Sequence, residues 1–353
     1  MDDLFAGKKI LVTGGAGSIG SEIVRTLLKS KPDVIRIYSR GESEQFELQH
    51  ELSKHKNIRY LVGDVREKAR LAKSMKGIDY VFHAAALKHV PACEYNPFEA
   101  VKTNVIGTQN LIEVAAEEGV EKVISISTDK ACSPTNVMGA TKLLAERLVA
   151  AANFFQCEPD TIFASVRFGN VMNSRGSVIP LFCRQILSGG PVTVTDPEMT
   201  RFMMTIPQAI KLVFEATRIA FGGEIFILKM PALRLIDLAE VMVEELAPMA
   251  GLKPSDVPIH IIGSRPGEKK YEELLSAEEA KLAVERDDMF ILSSRLREQH
   301  ETDAVIPSIV SAYKSNIVDL MTKSEIRKLL AAIGIIPSCT SSRLSMNKMR
   351  VAL

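Results

Sequence analysis

No apolar run in this 353-residue chain reaches the ~18 residues needed to cross a bilayer, so a helical membrane span is not expected. The first residues, Met1-Asp2-Asp3-Leu4-Phe5-Ala6-Gly7, are acidic rather than signal-like, which leaves the cytoplasm as the expected location. There is also no excess of either charge, with 44 basic and 43 acidic side chains and a net charge of +1. Nothing in that balance attracts nucleic acid, and any bound anion must be held by a local cluster. The five cysteines (Cys93, Cys132, Cys157, Cys183 and Cys339) are scattered, odd in number and contain no CxxC pair. A structural metal and a disulfide framework are therefore both unexpected, and reduced thiols are anticipated. Internal repeats and low-complexity linkers are absent as well. What remains, 46% apolar and 25% charged residues, is the composition of an ordinary globular protein with room for two domains or one large one.

The residues from Lys8 to Leu28 read as an apolar strand, a turn through four glycines and an amphipathic helix. Gly15, Gly17 and Gly20 fit the dinucleotide fingerprint, in which missing Cβ atoms let the backbone turn tightly against a pyrophosphate at a helix N-terminus. Its strand-to-helix context is what gives the motif weight. Gly14, Gly17, Ser18, Ile19 and Gly20 are the expected contacts. A second strand, Val34 to Arg40, ends without the acid that would grip a ribose 2′-hydroxyl. Ser39 and Arg40 stand there instead and suit a 2′-phosphate, favouring NADP, with NAD left open. Asn57 to Val65 reads as a third strand, placing Asp64 and Val65 near the adenine, and Asp79 to Ala86 as a fourth. The small side chains of Ala84, Ala85 and Ala86 would let the backbone lie close to the dinucleotide, with Lys88 following. His83, ending a buried strand, is expected to be hydrogen-bonded rather than catalytic. Phe98 to Leu111 reads as a helix whose interior Asn104 calls for a tertiary partner.

The stretch from Ser125 to Lys142 carries the expected chemistry. Lys122 to Ser127 alternates like a strand and ends in polar residues; a turn with Pro134 follows; Asn136 can cap a helix running to Cys157. Met138 and Lys142 share one face of that helix.

Taken in order, Thr13 to Gly20, Gly63-Asp-Val65, His83 to Ala86, Asn104 to Thr108 and Ser127 to Lys130 resemble the extended short-chain dehydrogenase/reductases. Ser127 to Ala131, Pro134 to Lys142, and Met199-Thr-Arg-Phe202 with Arg265-Pro-Gly-Glu-Lys269 are similar to the nucleotide-sugar 4,6-dehydratases acting on UDP-N-acetylglucosamine. The resemblance covers nearly the whole chain to about Ile335. Most of that superfamily carries YxxxK; here the pair is Met138 and Lys142, and methionine transfers no proton. A dead enzyme, a cofactor-binding regulator or relocated chemistry would each fit; a subset of the dehydratases shares the methionine, and relocation is preferred.

The resemblance implies Asp129 as the acid for the 6-hydroxyl, Lys130 as the base at C5, Thr128 on the 4-hydroxyl and Lys142 on the cofactor ribose, with a dry pocket drawing both working pKa values toward neutrality. It also implies Lys88, Asn170, Val178, Thr193, Arg201, Arg265 and Glu268 on the UDP-sugar, the two arginines as diphosphate clamps and Glu268 on a ribose diol. The implied protein is a UDP-N-acetylglucosamine 4,6-dehydratase with tightly bound, regenerated NADP, forming homo-oligomers. A UDP-sugar 4-epimerase is the enzymatic alternative.

The expected fold is α/β, a Rossmann-like doubly wound parallel sheet at residues 1–170 to which later segments return, then a smaller mixed α/β substrate lobe at 171–335 and a loose tail at 336–353. Within the second half Thr161 to Val171 reads as one strand, Leu235 to Leu246 as a helix, Pro258 to Gly263 as a short strand, Ser276 as the start of a capping box and Ser324 to Leu330 as the last helix.

Overall fold

The computed structural model describes residues 4–155, 161–293 and 311–337. Cys157, Cys339 and the expected loose tail from residue 338 onward lie outside the described residues. The chain divides into two compact units.

The first unit comprises residues 1–168, 206–229 and 273–313. Its early strands are β1 (Lys9–Thr13), β2 (Val34–Ser39), β3 (Ile58–Val62), β4 (Tyr80–His83), β5 (Lys122–Ile126) and β6 (Ile162–Arg167). They lie in the order β3-β2-β1-β4-β5-β6, all parallel. Strand Ile225–Leu228 adds parallel to β6, and Met289–Leu292 and Ala283–Glu285 extend that edge antiparallel, which completes nine strands. The order reverses between β1 and β4, and in doubly wound sheets a ligand crevice opens at the carboxyl ends there.

Near-continuous apolar strands are needed because both sheet faces are covered. On one face Leu11, Val81, Val123 and Phe163 pack with Leu111, Val114 and Val149 from helices. Phe5, Phe82 and Phe214 pack together, with Phe214 on the Ile206–Ile219 helix, Phe5 5.0 Å from Phe214 and Phe82 5.8 Å from it.

The second unit comprises residues 169–205, 230–272 and the segment from Lys314. Strand Thr200–Met204 pairs parallel with Asn170–Val171 and antiparallel with Ala232–Arg234, while Val192–Val194 pairs with Ile259–Ile261. Helices Val178–Leu187, Leu235–Leu246 and Lys323–Ala332 bury Phe182, Ile186, Leu238, Met242, Ile326 and Leu330 in one core.

Two elements depart from the sequence reading. The single strand expected over Thr161 to Val171 breaks after Arg167: its first part belongs to the large sheet and Asn170–Val171 to the small one. The helix expected around Asn104 widens into a π-helical stretch over Val101–Ile106, because the Asn104 side chain is drawn into contacts outside its own helix. No helix among the described residues is long and apolar enough to cross a membrane.

Candidate active site

The glycine turn is shaped by close backbone approaches. Gly14 has φ +66°, and a Cβ there would meet the Ala84 carbonyl carbon and the Ala85 nitrogen at 2.7 Å. At Gly20 a Cβ would lie 2.3 Å from the Gly14 carbonyl oxygen. Glycine is required at both, so β1, β4 and the helix Ser18–Leu27 converge at the switch point. Gly17 caps that helix without a side-chain bond, which leaves its N-terminus able to receive a pyrophosphate. A cradle that Cβ atoms would fill, opening on an uncapped helix, fits a dinucleotide.

At the end of β2, the amide of Gln45 donates to the Ser39 carbonyl at 2.9 Å and to the Ser39 hydroxyl at 3.0 Å. The exposed Arg40 reaches 3.6 Å from the Asp64 carboxylate. Burial raises the Asp64 pKa, but the Arg66 side-chain and backbone bonds outweigh it and hold the carboxyl below its ordinary value. Val65 is buried, and Gly107 lets a helix approach it, since a Cβ there would lie 2.7 Å from the Val65 Cγ2. Ala84, Ala85 and Ala86 are half-buried and Lys88 is exposed.

His83 is buried. The Thr108 hydroxyl donates to the Asn104 carbonyl at 2.7 Å, so the 3.2 Å contact with His83 is an Nε2–H donated to Thr108. Nδ1 then accepts from Thr13 Oγ1 at 2.7 Å. Both ring nitrogens are thus engaged within the sheet end. Asn104 exchanges bonds with the Leu87 backbone at 2.8 and 3.0 Å and donates to Thr141 at 3.0 Å, joining the segment after β4 to the helix Val137–Phe155.

The polar cluster follows β5. Thr128 Oγ1 donates to Asp129 Oδ1 at 2.9 Å, and Lys130 Nζ donates to the same oxygen at 2.9 Å. Asp129 is fully buried, its amide donates to the Phe168 carbonyl at 3.0 Å, and Oδ2 has no hydrogen-bond partner. The helix Val137–Phe155 begins at Asn136, whose Oδ1 accepts from the Gly139 amide at 2.8 Å. A Cβ on Gly139 would lie 2.3 Å from the Lys130 carbonyl oxygen, so the helix and the Lys130 backbone are in direct contact. Met138 is buried with Cys93 and Ala100. Lys142 donates to the Ile126 carbonyl at 2.6 Å, and burial pushes its pKa down to about 8 against the opposing charge of Glu146.

Among the residues that the sequence reading missed is Arg167, with no exposed surface. It donates to both oxygens of Glu146 at 3.0 and 2.6 Å and to both oxygens of Glu279 at 2.9 and 3.0 Å. Burial raises the Glu279 pKa, but the Arg167 charge and bonds prevail and hold it down to about 2. The only signal in the sequence is an arginine ending a β-branched run.

The remaining expected residues belong to the second unit. Asn170 and Val178 begin a strand and a helix, and Thr193 exchanges bonds with Gln185 at 2.8 and 3.1 Å. Arg201 is buried: it donates to the carbonyls of Thr200, Lys269 and Lys270 at 2.8, 2.8 and 3.2 Å, with Glu268 and Glu272 each 3.8 Å away. Its charge is thus partly compensated by these carbonyls and carboxylates. Arg265 is exposed, and its amide donates to Glu268 at 3.2 Å.

Residues 10–294 match a family model described as polysaccharide biosynthesis protein. An inverting UDP-N-acetylglucosamine 4,6-dehydratase of Campylobacter jejuni is 43% identical over 296 residues, 83% of this chain and 85% of that protein. A UDP-glucose 4-epimerase of Rickettsia typhi is also 43% identical, over 78% of this chain and 80% of that protein. The X-ray structure of Pen from Bacillus thuringiensis superposes with a TM-score of 0.90 at 49% identity, covering 94% and 99% of the two chains. The chain thus belongs to the polysaccharide biosynthesis protein family of the extended short-chain dehydrogenase/reductases.

Proposed function

We propose that the protein is a sugar-nucleotide enzyme, an NADP-dependent UDP-N-acetylglucosamine 4,6-dehydratase. The observation that carries this reading is the Asp129–Lys130 pair, an acid and an amine 2.9 Å apart in a chain that has Met138 where most of the superfamily has its proton-shuttling tyrosine. An epimerase needs no such pair, since it eliminates nothing; the similarity to a UDP-glucose 4-epimerase makes that the second reading.

The glycine turn, Asn104, Lys142, Ser39 and Arg40 would hold the cofactor. A cofactor held there would supply reversible hydride transfer between sugar C4 and C6, so none would be consumed. The protein manages the protons. Thr128 holds the 4-hydroxyl. Oxidation at C4 acidifies the C5 hydrogen, which the Lys130 amine removes while Asp129 protonates the departing 6-hydroxyl. The Asp129 Oδ2, buried and without a hydrogen-bond partner, would carry the acid proton. Lys130 returns its proton to C5 when C6 is reduced. The departing water consumes the proton first lost from the 4-hydroxyl, so that proton reaches Asp129 before the next cycle. In the second unit Arg265 and Arg201 are proposed on the diphosphate and Glu268 on the ribose.

The test incubates UDP-N-acetylglucosamine with wild type, Asp129→Asn and Lys130→Ala, in NADP or NAD, and follows product mass. Wild type should lose one water with NADP preferred, and each variant should lose roughly a hundredfold or more in rate. Unchanged mass means epimerisation, and near-wild-type variants or equal use of NAD would remove the corresponding assignment.

A further inference from the structure

The Asp129–Lys130 pair sits on a three-residue turn, Asp129–Ala131, which no strand ladder fixes. It is tied at its start by the Asp129 amide on the Phe168 carbonyl at 3.0 Å. After the turn, the Cys132 thiol donates to Glu279 at 3.4 Å and the Ser133 hydroxyl to Glu273 at 2.8 Å. Glu279 is gripped by both terminal nitrogens of Arg167, which also bonds the Leu274 carbonyl at 2.9 Å. The rest of the same guanidinium is spent on Glu146, one helical turn beyond Lys142 on the helix Val137–Phe155. A single buried side chain is therefore bonded toward both arms of the site, the turn through Glu279 and the lysine helix through Glu146.

We propose that Arg167, with Glu146 and Glu279, is a positioning triad that sets the Asp129–Lys130 turn against the Lys142 helix; the proposal deepens, and rests on, the dehydratase reading. A planar fork satisfying two carboxylates fixes their separation and orientation, which a lysine cannot do. If the triad served stability alone, its loss would change the melting temperature and leave the chemistry of surviving enzyme untouched. Positioning predicts that the reacting groups drift while binding persists, because small misplacements act mainly on the chemical step.

The experiment uses full-length Arg167→Lys, Glu146→Gln and Glu279→Gln, with steady-state kinetics on UDP-N-acetylglucosamine and hydrogen–deuterium exchange over residues 128–134. The expected result is kcat lower by roughly ten- to a hundredfold with KM and NADP affinity nearly unchanged, and faster exchange in that segment. Folded variants with wild-type kcat, or with the loss confined to KM, would overturn it. Cys132→Ala removes the thiol's contacts with Glu279 and Glu273 and no charge, so it covers the case in which the triad variants do not fold. It should speed exchange after Asp129 and lower kcat to a smaller degree, and wild-type values in both would count against the proposal. If the wild-type protein dehydrates no UDP-sugar, the dehydratase reading fails, and the exchange measurement still decides whether Arg167 holds the turn.

Discussion

His83 carries a consequence of being buried between two threonines. Burial, and next the charge of Lys142, push its pKa from 6.5 down to about 3. The folded value lies below the unfolded one, so keeping the ring neutral contributes stability that is fully present above about pH 6.5 and is lost as pH falls toward 3. Melting temperature measured from pH 8 to 4 should therefore fall more steeply for wild type than for His83→Gln; parallel curves would contradict this account. Single residues were unevenly legible. The Asp129–Lys130 pair stands out because a carboxyl and an amine follow an apolar strand, and His83 is hydrogen-bonded through both ring nitrogens, as expected of a histidine ending a buried strand. Arg167 was not legible, since its partners Glu146 and Glu279 lie 21 and 112 residues away and a lone arginine carries no periodicity. The surroundings of Arg201 were not legible either, since two of the carbonyls that it donates to, Lys269 and Lys270, lie 68 and 69 residues away.

Elements were read best where local chemistry decides them. The helix at Leu235–Leu246 has the expected bounds, and the Ser276 box forms with reciprocal bonds of 3.2 Å to Glu279. The lysine helix also begins at its expected Asn136 cap. Its second support was hidden: Glu94 accepts from the Val137 amide at 2.7 Å across 43 residues. Asn136→Ala should cost about 1 kcal/mol in urea unfolding, the usual value of such a cap, and an unchanged midpoint would mean that Glu94 suffices alone. The strand expected over Thr161 to Val171 was misread because apolar alternation continues through Phe168 and Gly169 while the chain changes sheets. Gly169 marks the switch, since a Cβ there would lie 2.6 Å from Phe202.

For the whole molecule, the parallel order of β1 to β6 was foreseeable from alternating strand and helix patterns around a glycine turn. The three added edge strands were not, because short strands far along the chain carry no mark of the sheet they will join. That edge has a consequence for how the chain is made. Arg167 leaves the ribosome with Glu146 already available, but Glu279 and the strands Ala283–Glu285 and Met289–Leu292 emerge more than a hundred residues later. Until then a buried cation is half-compensated and the Cys132 thiol lacks its Glu279 partner. Translation arrested before Glu279 should yield a nascent chain whose 128–134 segment remains open to protease, and arrest past Leu292 should close it. Protection already complete at the earlier point would show that the first six strands assemble this site unaided. The timing of synthesis, as much as the final packing, then decides when the Asp129–Lys130 turn is set in place.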